Sequence, residues 1–188
     1  DNIGFTLDPA DGPPEPGTVT VVVRPAPDAP VAVDDSVDPT AAIKPVEDTP
    51  YTFAVAANDY DVDTGETPLL RVTEVEGVAI TAGGPAVNIS GPLGPFGTLR
   101  GSVVLAADGA LSFTPAPDYN GPVSFNYTIT DPTGLSDVGT VTFTVDPVND
   151  APVTVPDSVV TNEDTPITFN PAANDQDVDL TGLSVTAL

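Results

Sequence analysis

The run Val123-Ser124-Phe125-Asn126-Tyr127-Thr128-Ile129 carries an apolar side chain at every second position, with small or polar residues between. Successive side chains of an extended chain point to opposite faces, so a period of two gives one apolar face and one wet face. On a helix the same residues would be scattered around the cylinder. Val141, Phe143 and Val145 alternate with threonines in the same way, and Tyr51, Phe53 and Val55 alternate with Thr52 and Ala54. Leu111 and Phe113 share one face of a further run, placed just after the turn signal Asp108-Gly109. About seven short strands of this kind in roughly 115 residues, with no helical period anywhere, predict an all-β fold of antiparallel sheets packed as a β-sandwich. Gly91 to Gly97 (GPLGPFG) reads as a turn-rich insertion with no chemistry of its own.

A second constraint is internal repetition. Arg24-Pro-Ala-Pro-Asp28-Ala-Pro30-Val31 aligns with Asp146-Pro-Val-Asn149-Asp150-Ala-Pro152-Val153, an interval of 152 − 30 = 122 residues. The match continues past each linker. Glu47-Asp-Thr-Pro-Tyr-Thr-Phe53 corresponds to Glu163-Asp-Thr-Pro-Ile-Thr-Phe169, and Asn58-Asp59-Tyr-Asp61-Val-Asp63 to Asn174-Asp175-Gln-Asp177-Val-Asp179. Repetition at domain length predicts tandem domains rather than a solenoid. The expected division is the end of a preceding repeat over 1–23 and a linker over 24–30. A complete repeat follows over 31–145, then a calcium-binding linker over 146–152 and the start of the next repeat over 153–188. The chain has no Met and ends within an apolar run, which marks it as a piece of something longer.

The charge is far from balanced: 28 Asp+Glu against 4 Lys+Arg, a formal net charge of -24. Phosphate binding needs a basic footprint, so nucleic acid is excluded as a partner. Nothing resembles a signal peptide or a membrane span, and no direct membrane insertion is expected of this segment. The strand-like runs Tyr51–Ala57, Gly101–Ala106, Val123–Thr130 and Gly139–Val145 contain no acid. The acids crowd instead into the connections, which favours discrete cation sites over a uniformly solvating surface. Calcium takes six to eight oxygen ligands from carboxylates, amides and carbonyls, and the linker over 146–152 sets such groups among prolines that stiffen it.

Asp59, Asp61 and Asp63 alternate, so on an extended segment they face one volume just beyond a strand end. Unpaired, they repel one another, and a divalent cation removes that cost; the pattern recurs at Asp175, Asp177 and Asp179. The loop is not an EF-hand, because Gly65 falls one place late and Leu70 stands where the bidentate glutamate would be. Asp63-Thr64-Gly65 spells an aspartic-protease triplet, but the second copy, Asp179-Leu-Thr-Gly182, breaks it, and that chemistry needs two such loops. With no His and no Cys, a conventional catalytic triad, a disulfide and a thiolate zinc site are all excluded. No enzyme is expected.

These residues together resemble a family. Glu47 near a first strand, Asn58-Asp59-x-Asp61 after the next, Asp118-Tyr-Asn120-Gly121, Thr130-Asp131-Pro and Asp146-Pro-Val-Asn149-Asp150-Ala-Pro look like the cadherin-like tandem repeats of large bacterial surface adhesins, including calcium-dependent RTX adhesins. The resemblance implies tandem Ig-like or cadherin-like antiparallel β-sandwich repeats that bind calcium where neighbouring repeats of the chain meet. By motif, Glu47 and the loop of Asp118 and Asn120 would lie at the far end of the complete repeat. They would join Asp146, Asn149 and Asp150 of the linker and Asp175 and Asp177 of the next copy. Asn58, Asp59, Asp61, Asp63 and Asp131 would face the first linker, where Asp28 matches Asp150, and Glu163 would repeat Glu47 one copy on. The first linker departs from the pattern, with Arg24 opposite Asp146 and Pro27 opposite Asn149, so fewer ions are expected there. Asp34, Asp35 and Asp137 are candidates for extra ligands, but read first as ordinary solvated acids. The implied function is a non-enzymatic, extracellular stalk or extender segment stiffened by calcium. The alternatives are a glycan- or protein-binding module using loops such as Pro85–Phe96, or an accessory repeat of a secreted enzyme.

Overall fold

The computed structural model describes residues 2–7, 12, 15–22, 26–38, 40–94, 97–179 and 182–186. Val23 and Arg24 of the first linker region and Pro95 and Phe96 of the glycine-rich insertion lie outside the described residues.

The alternating runs form strands that pack through their apolar faces. In chain order the strands are β1 (Asn2–Leu7), β2 (Glu15–Thr20), β3 (Asp35–Ser36), β4 (Tyr51–Phe53), β5 (Arg71–Val75), β6 (Val78–Ala79), β7 (Val87–Gly94), β8 (Gly97–Leu105), β9 (Leu111–Pro115), β10 (Gly121–Thr130) and β11 (Ser136–Val145). One sheet has the order β3-β11-β10-β5-β6 and the other β4-β9-β8-β7. Their inner faces supply one core, in which Phe53, Phe113, Phe125 and Phe143 meet with ring centroids as close as 4.8 Å. This is an all-β, Ig-like sandwich, as the period-two pattern predicts.

β10 and β11 form the longest ladder, from Gly121 opposite Val145 to Thr130 opposite Ser136. The register places Val123, Phe125, Tyr127, Ile129, Val141, Phe143 and Val145 on the buried face. The ring of Tyr127 fits because its partner is Gly139: a Cβ there would stand 2.6 Å from Tyr127 Cζ. β3 is short and runs parallel to β11, pairing Asp35 with Val141. The same parallel track continues where Val46 bridges Asp146.

Two sequence expectations differ in detail. The strand expected over Tyr51–Ala57 ends at Phe53, and Val55–Ala57 is a turn of 3-10 helix with Val55 still pointing into the core. The insertion at Gly91–Gly97 is no detached turn. β7 continues to Gly94, which pairs with Gly97 of β8 after two register shifts. Arg100 ties the hairpin together by donating to the carbonyls of Gly97, at 3.2 Å, and Pro92.

Outside the sandwich, β1 and β2 form an antiparallel pair, with Asn2 opposite Thr20. Beyond Pro152 the described chain is mostly exposed and is organised around one bridge, between Val153 and Gln176.

Candidate functional site

Carboxylates gather at both ends of the sandwich, because that is where the acid-rich connections lie. At the end where the chain enters, the loop after Val55–Ala57 folds back on itself. Asp63 N donates to Asp61 Oδ1 at 2.8 Å, and Thr67 Oγ1 takes the Asp61 amide at 2.9 Å. These bonds bring Asp61, Asp63 and Glu66 together, with a carboxylate oxygen of each within 4.8 Å of the others. The linker is attached directly to this group, since Asp28 N donates to Asp63 Oδ2 at 2.8 Å. Asp61 is only 8% exposed, yet its Oδ2 has no hydrogen-bond partner, and neither does the buried Glu66 Oε2.

At the opposite end, two groups share Asp150. Glu47, Asp150 and Asp179 form one, and Asp48, Asp118 and Asp150 the other. Glu47 is 2% exposed. Its Oε1 accepts from Val148 N and its Oε2 from Asn120 Nδ2 at 3.2 Å. Asp48 and Asp118 both hold left-handed backbone, with φ of 59° and 57°, a conformation that aspartate tolerates better than most residues. Asp150 N donates to Asp179 Oδ2 at 2.7 Å, while Asp150 Oδ2 is buried without a partner.

One bonding pattern occurs twice along the chain. Asp28 N to Asp63 Oδ2 matches Asp150 N to Asp179 Oδ2. Val33 N to Asp59 Oδ1 matches Val155 N to Asp175 Oδ1, and Asp63 N to Asp61 Oδ1 matches Asp179 N to Asp177 Oδ1. Asn58 Nδ2 to Val33 O and Asn174 Nδ2 to Val155 O complete the correspondence.

The residues singled out in the sequence therefore divide by task. Asp61, Asp63, Glu47, Asp118 and Asp150 stand in the carboxylate groups. Asp59 is buried and accepts from Val33 N at 2.7 Å and from Tyr127 Oη at 3.1 Å, which makes it an anchor for the loop. Asp175 has the matching place beside Val155. Asp131 folds its own turn, accepting from Thr133 Oγ1 and Leu135 N at 2.9 Å each. Asp146 turns its carboxylate to Lys44. Asn120 supports Glu47, Asn149 Nδ2 donates to Asp150 O, and Asn58 and Asp177 brace their loops. Asp28 contributes its backbone amide, and Glu163 is exposed and stands in none of the groups found among the described residues. Asp34 caps Thr140 N, Asp137 caps Ala32 N, and Asp35 Oδ2 is buried without a partner. Glu66, Asp48 and Asp179 join the groups although the ligand set implied by the resemblance lacked them. The signal for Asp179 was its repeat of Asp63; for Glu66 and Asp48 it was only their nearness to Asp63 and Glu47.

The electrostatics follow from this crowding. Burial, with Asp179, Asp118, Asp48 and Glu47 around it, pushes the Asp150 carboxyl above the usual range. Burial and the charges of Asp63, Asp61 and Asp131 do the same to Glu66. Asp59 and Asp35 are raised chiefly by burial, and Tyr127 Oη partly offsets this in each. Asp131 behaves oppositely: burial pushes it up, but the Thr133 and Leu135 donors outweigh that and hold it low. A site made only of carboxylate, amide and carbonyl oxygens, with buried oxygens left over, fits a hard divalent cation such as calcium and not a thiolate- or imidazole-bound metal.

Architecture and acid-lined ends define an Ig-like β-sandwich module. Residues 27–144 match the family described as Bacterial Ig domain, and the chain belongs to that family. Domains of this family are typically non-catalytic structural modules, usually at the surface or outside the cell. No curated protein matches the chain. No helix among the described residues is long and apolar enough to cross a membrane.

Proposed function

We propose that the chain is a calcium-rigidified stalk segment of a large, cadherin-like bacterial surface adhesin, with tandem repeats joined at the acidic linkers. The observation that carries this reading is the set of three buried carboxylate oxygens without partners, on Asp61, Glu66 and Asp150, each in a group of acids beside a linker. Leaving a buried acceptor unsatisfied costs about 1–3 kcal/mol, and more when it is charged. Three carboxylates within 4.8 Å add mutual repulsion. A calcium ion would satisfy both. Because Asp150 belongs to two groups, the junction at 146–152 has oxygens for two ions, with Asp150 bridging them. Among the described residues the junction at 24–30 has one group, of Asp61, Asp63 and Glu66. The bonding pattern shared by the two linkers supports reading residues beyond Pro152 as the start of another repeat.

The test is thermal unfolding in millimolar calcium and in chelator at matched ionic strength, with calorimetric titration of calcium. Extracellular modules bind calcium at roughly 0.1–1 mM, and ligand at 100 times its Kd adds about 2.7 kcal/mol per site. The expected result is a higher Tm in calcium and more than one bound ion per chain. Superimposable melting curves and no binding heat would reject the reading.

A further inference from the structure

A cleft of about 830 Å³ is lined by none of the residues of the carboxylate groups. One wall is β3 and the segment running to Lys44 and Pro45; another is Ser90, Gly91 and Pro92 of β7 with Arg100 of β8; β10 and β11 close it. β3 is the edge of one sheet and β7 the edge of the other. Edge strands present backbone donors and acceptors to any extended chain laid beside them.

Arg100 is set deliberately into this cleft. Gly91 makes room for it, since a Cβ there would stand 2.7 Å from Arg100 Nε. The guanidinium lies 4.9 Å from the centroid of the Tyr119 ring and donates to the carbonyls of Gly97 and Pro92. All these partners are neutral. Among the described residues the one ion pair is Lys44 with Asp146, at the opposite wall, so no carboxylate offsets Arg100. A guanidinium has five N–H donors, and the two carbonyls leave several for a ligand. In a chain of net charge -24, the cleft thus gathers two of the four Lys+Arg residues, one of them uncompensated.

We propose that this cleft binds an extended peptide strand carrying a single carboxylate, which pairs with Arg100 while the strand backbone lies along an edge. Asp38 and Asp146 also line the cleft, and the surrounding field is negative, so a second acid in the ligand is repelled. A sugar ring is the poorer fit. The one aromatic lining residue among those described, Phe143, is buried in the core and offers no face for stacking.

Fluorescence anisotropy with a labelled seven-residue peptide, Thr-Val-Thr-Glu-Thr-Val-Thr, tests this against its Glu→Gln counterpart and against a short oligogalacturonate, all with calcium present. The glutamate peptide should bind about tenfold tighter than the glutamine peptide, as expected for a charge-assisted pair. In Arg100→Gln that ratio should fall to about one. Should Arg100→Gln fail to give a cooperative melt, Lys44→Gln serves instead: it leaves the hairpin bonds alone and should lower the glutamate peptide's affinity about threefold by exposing Asp146. Equal binding of the two peptides, a ratio that survives Arg100→Gln, no binding of either, or tighter binding of the oligogalacturonate would each overturn the proposal.

Discussion

Replacing Asp61 by asparagine separates the cation reading from any purely structural role for the entry loop, because only the first makes the effect depend on calcium. Asparagine keeps the size of the side chain and an oxygen for the Asp63 amide, which Asp61 Oδ1 accepts at 2.8 Å. It removes one charge from a group whose carboxylate oxygens lie within 4.8 Å of one another. At that separation two charges repel by about 1 kcal/mol in a water-like dielectric and about 3.5 kcal/mol at an effective value of 20. Asp61 faces two such neighbours, and the new amide can also donate where Oδ2 had no partner. In chelator the variant should therefore be more stable than the parent by about 1–3 kcal/mol, a rise in Tm of several degrees. In calcium that gain should shrink by about 1.4 kcal/mol or more, because losing a charged ligand weakens the site about tenfold or more. Differential scanning calorimetry in both media gives the four melting temperatures. A shift of the same size in chelator and in calcium would refute the reasoning.

Other perturbations probe the frame and the acids separately. Gly139→Ala drives a methyl to within 2.6 Å of the fully buried Tyr127 ring and should cost about 1–3 kcal/mol in urea unfolding; an unchanged midpoint would place that ring elsewhere. Without calcium, pH should act through the raised carboxyls of Asp35, Asp59, Glu66 and Asp150. A carboxyl raised by folding stabilises the fold below its ordinary value and loses that contribution as pH climbs through the raised one. Asp131, held low, acts in the opposite sense, but its contribution is lost only as pH falls below the ordinary carboxylate range. Tm in chelator should thus rise as pH is lowered from neutral toward the ordinary carboxylate range, and a steady fall over that window would contradict these environments.

Much of the sandwich was legible because period two maps directly onto a buried face. Val123 to Ile129 and Val141 to Val145 needed nothing from the rest of the chain to declare their orientation. What stayed hidden depended on loop geometry. Glu66 reaches Asp61 and Asp63 only because the chain reverses before the 3-10 turn Thr67–Leu69. Asp48 reaches Asp118 and Asp150 through a left-handed backbone that the preceding Glu47 does not announce. Sequence also cannot separate an aspartate that faces a cation from one that folds its own loop, since both need acceptor oxygens at a strand end. Asp59 and Asp131 are of the second kind in their hydrogen bonding, and only the positions of Tyr127, Val33 and Leu135 reveal it. Asp146 was read from its place in the linker, but its neighbour Lys44 is remote in sequence.

The parallel track between the first and last segments of the sandwich has a mechanical meaning. Residues 35–37 run alongside 141–142, and 45–47 alongside 146, in the same direction, joined by Val37 N to Thr142 O, Asp146 N to Pro45 O and Glu47 N to Asp146 O. Side chains add to the seam, where Asp34 Oδ1 holds Thr140 N and Asp137 Oδ2 holds Ala32 N. Tension applied through the two linkers pulls residue 31 one way and residue 146 the other, so this seam is loaded lengthwise, in shear. Its bonds then share the force and must fail together, whereas an antiparallel hairpin pulled from its open end would unzip bond by bond. The sandwich therefore meets an extending force with its most collectively resisting edge.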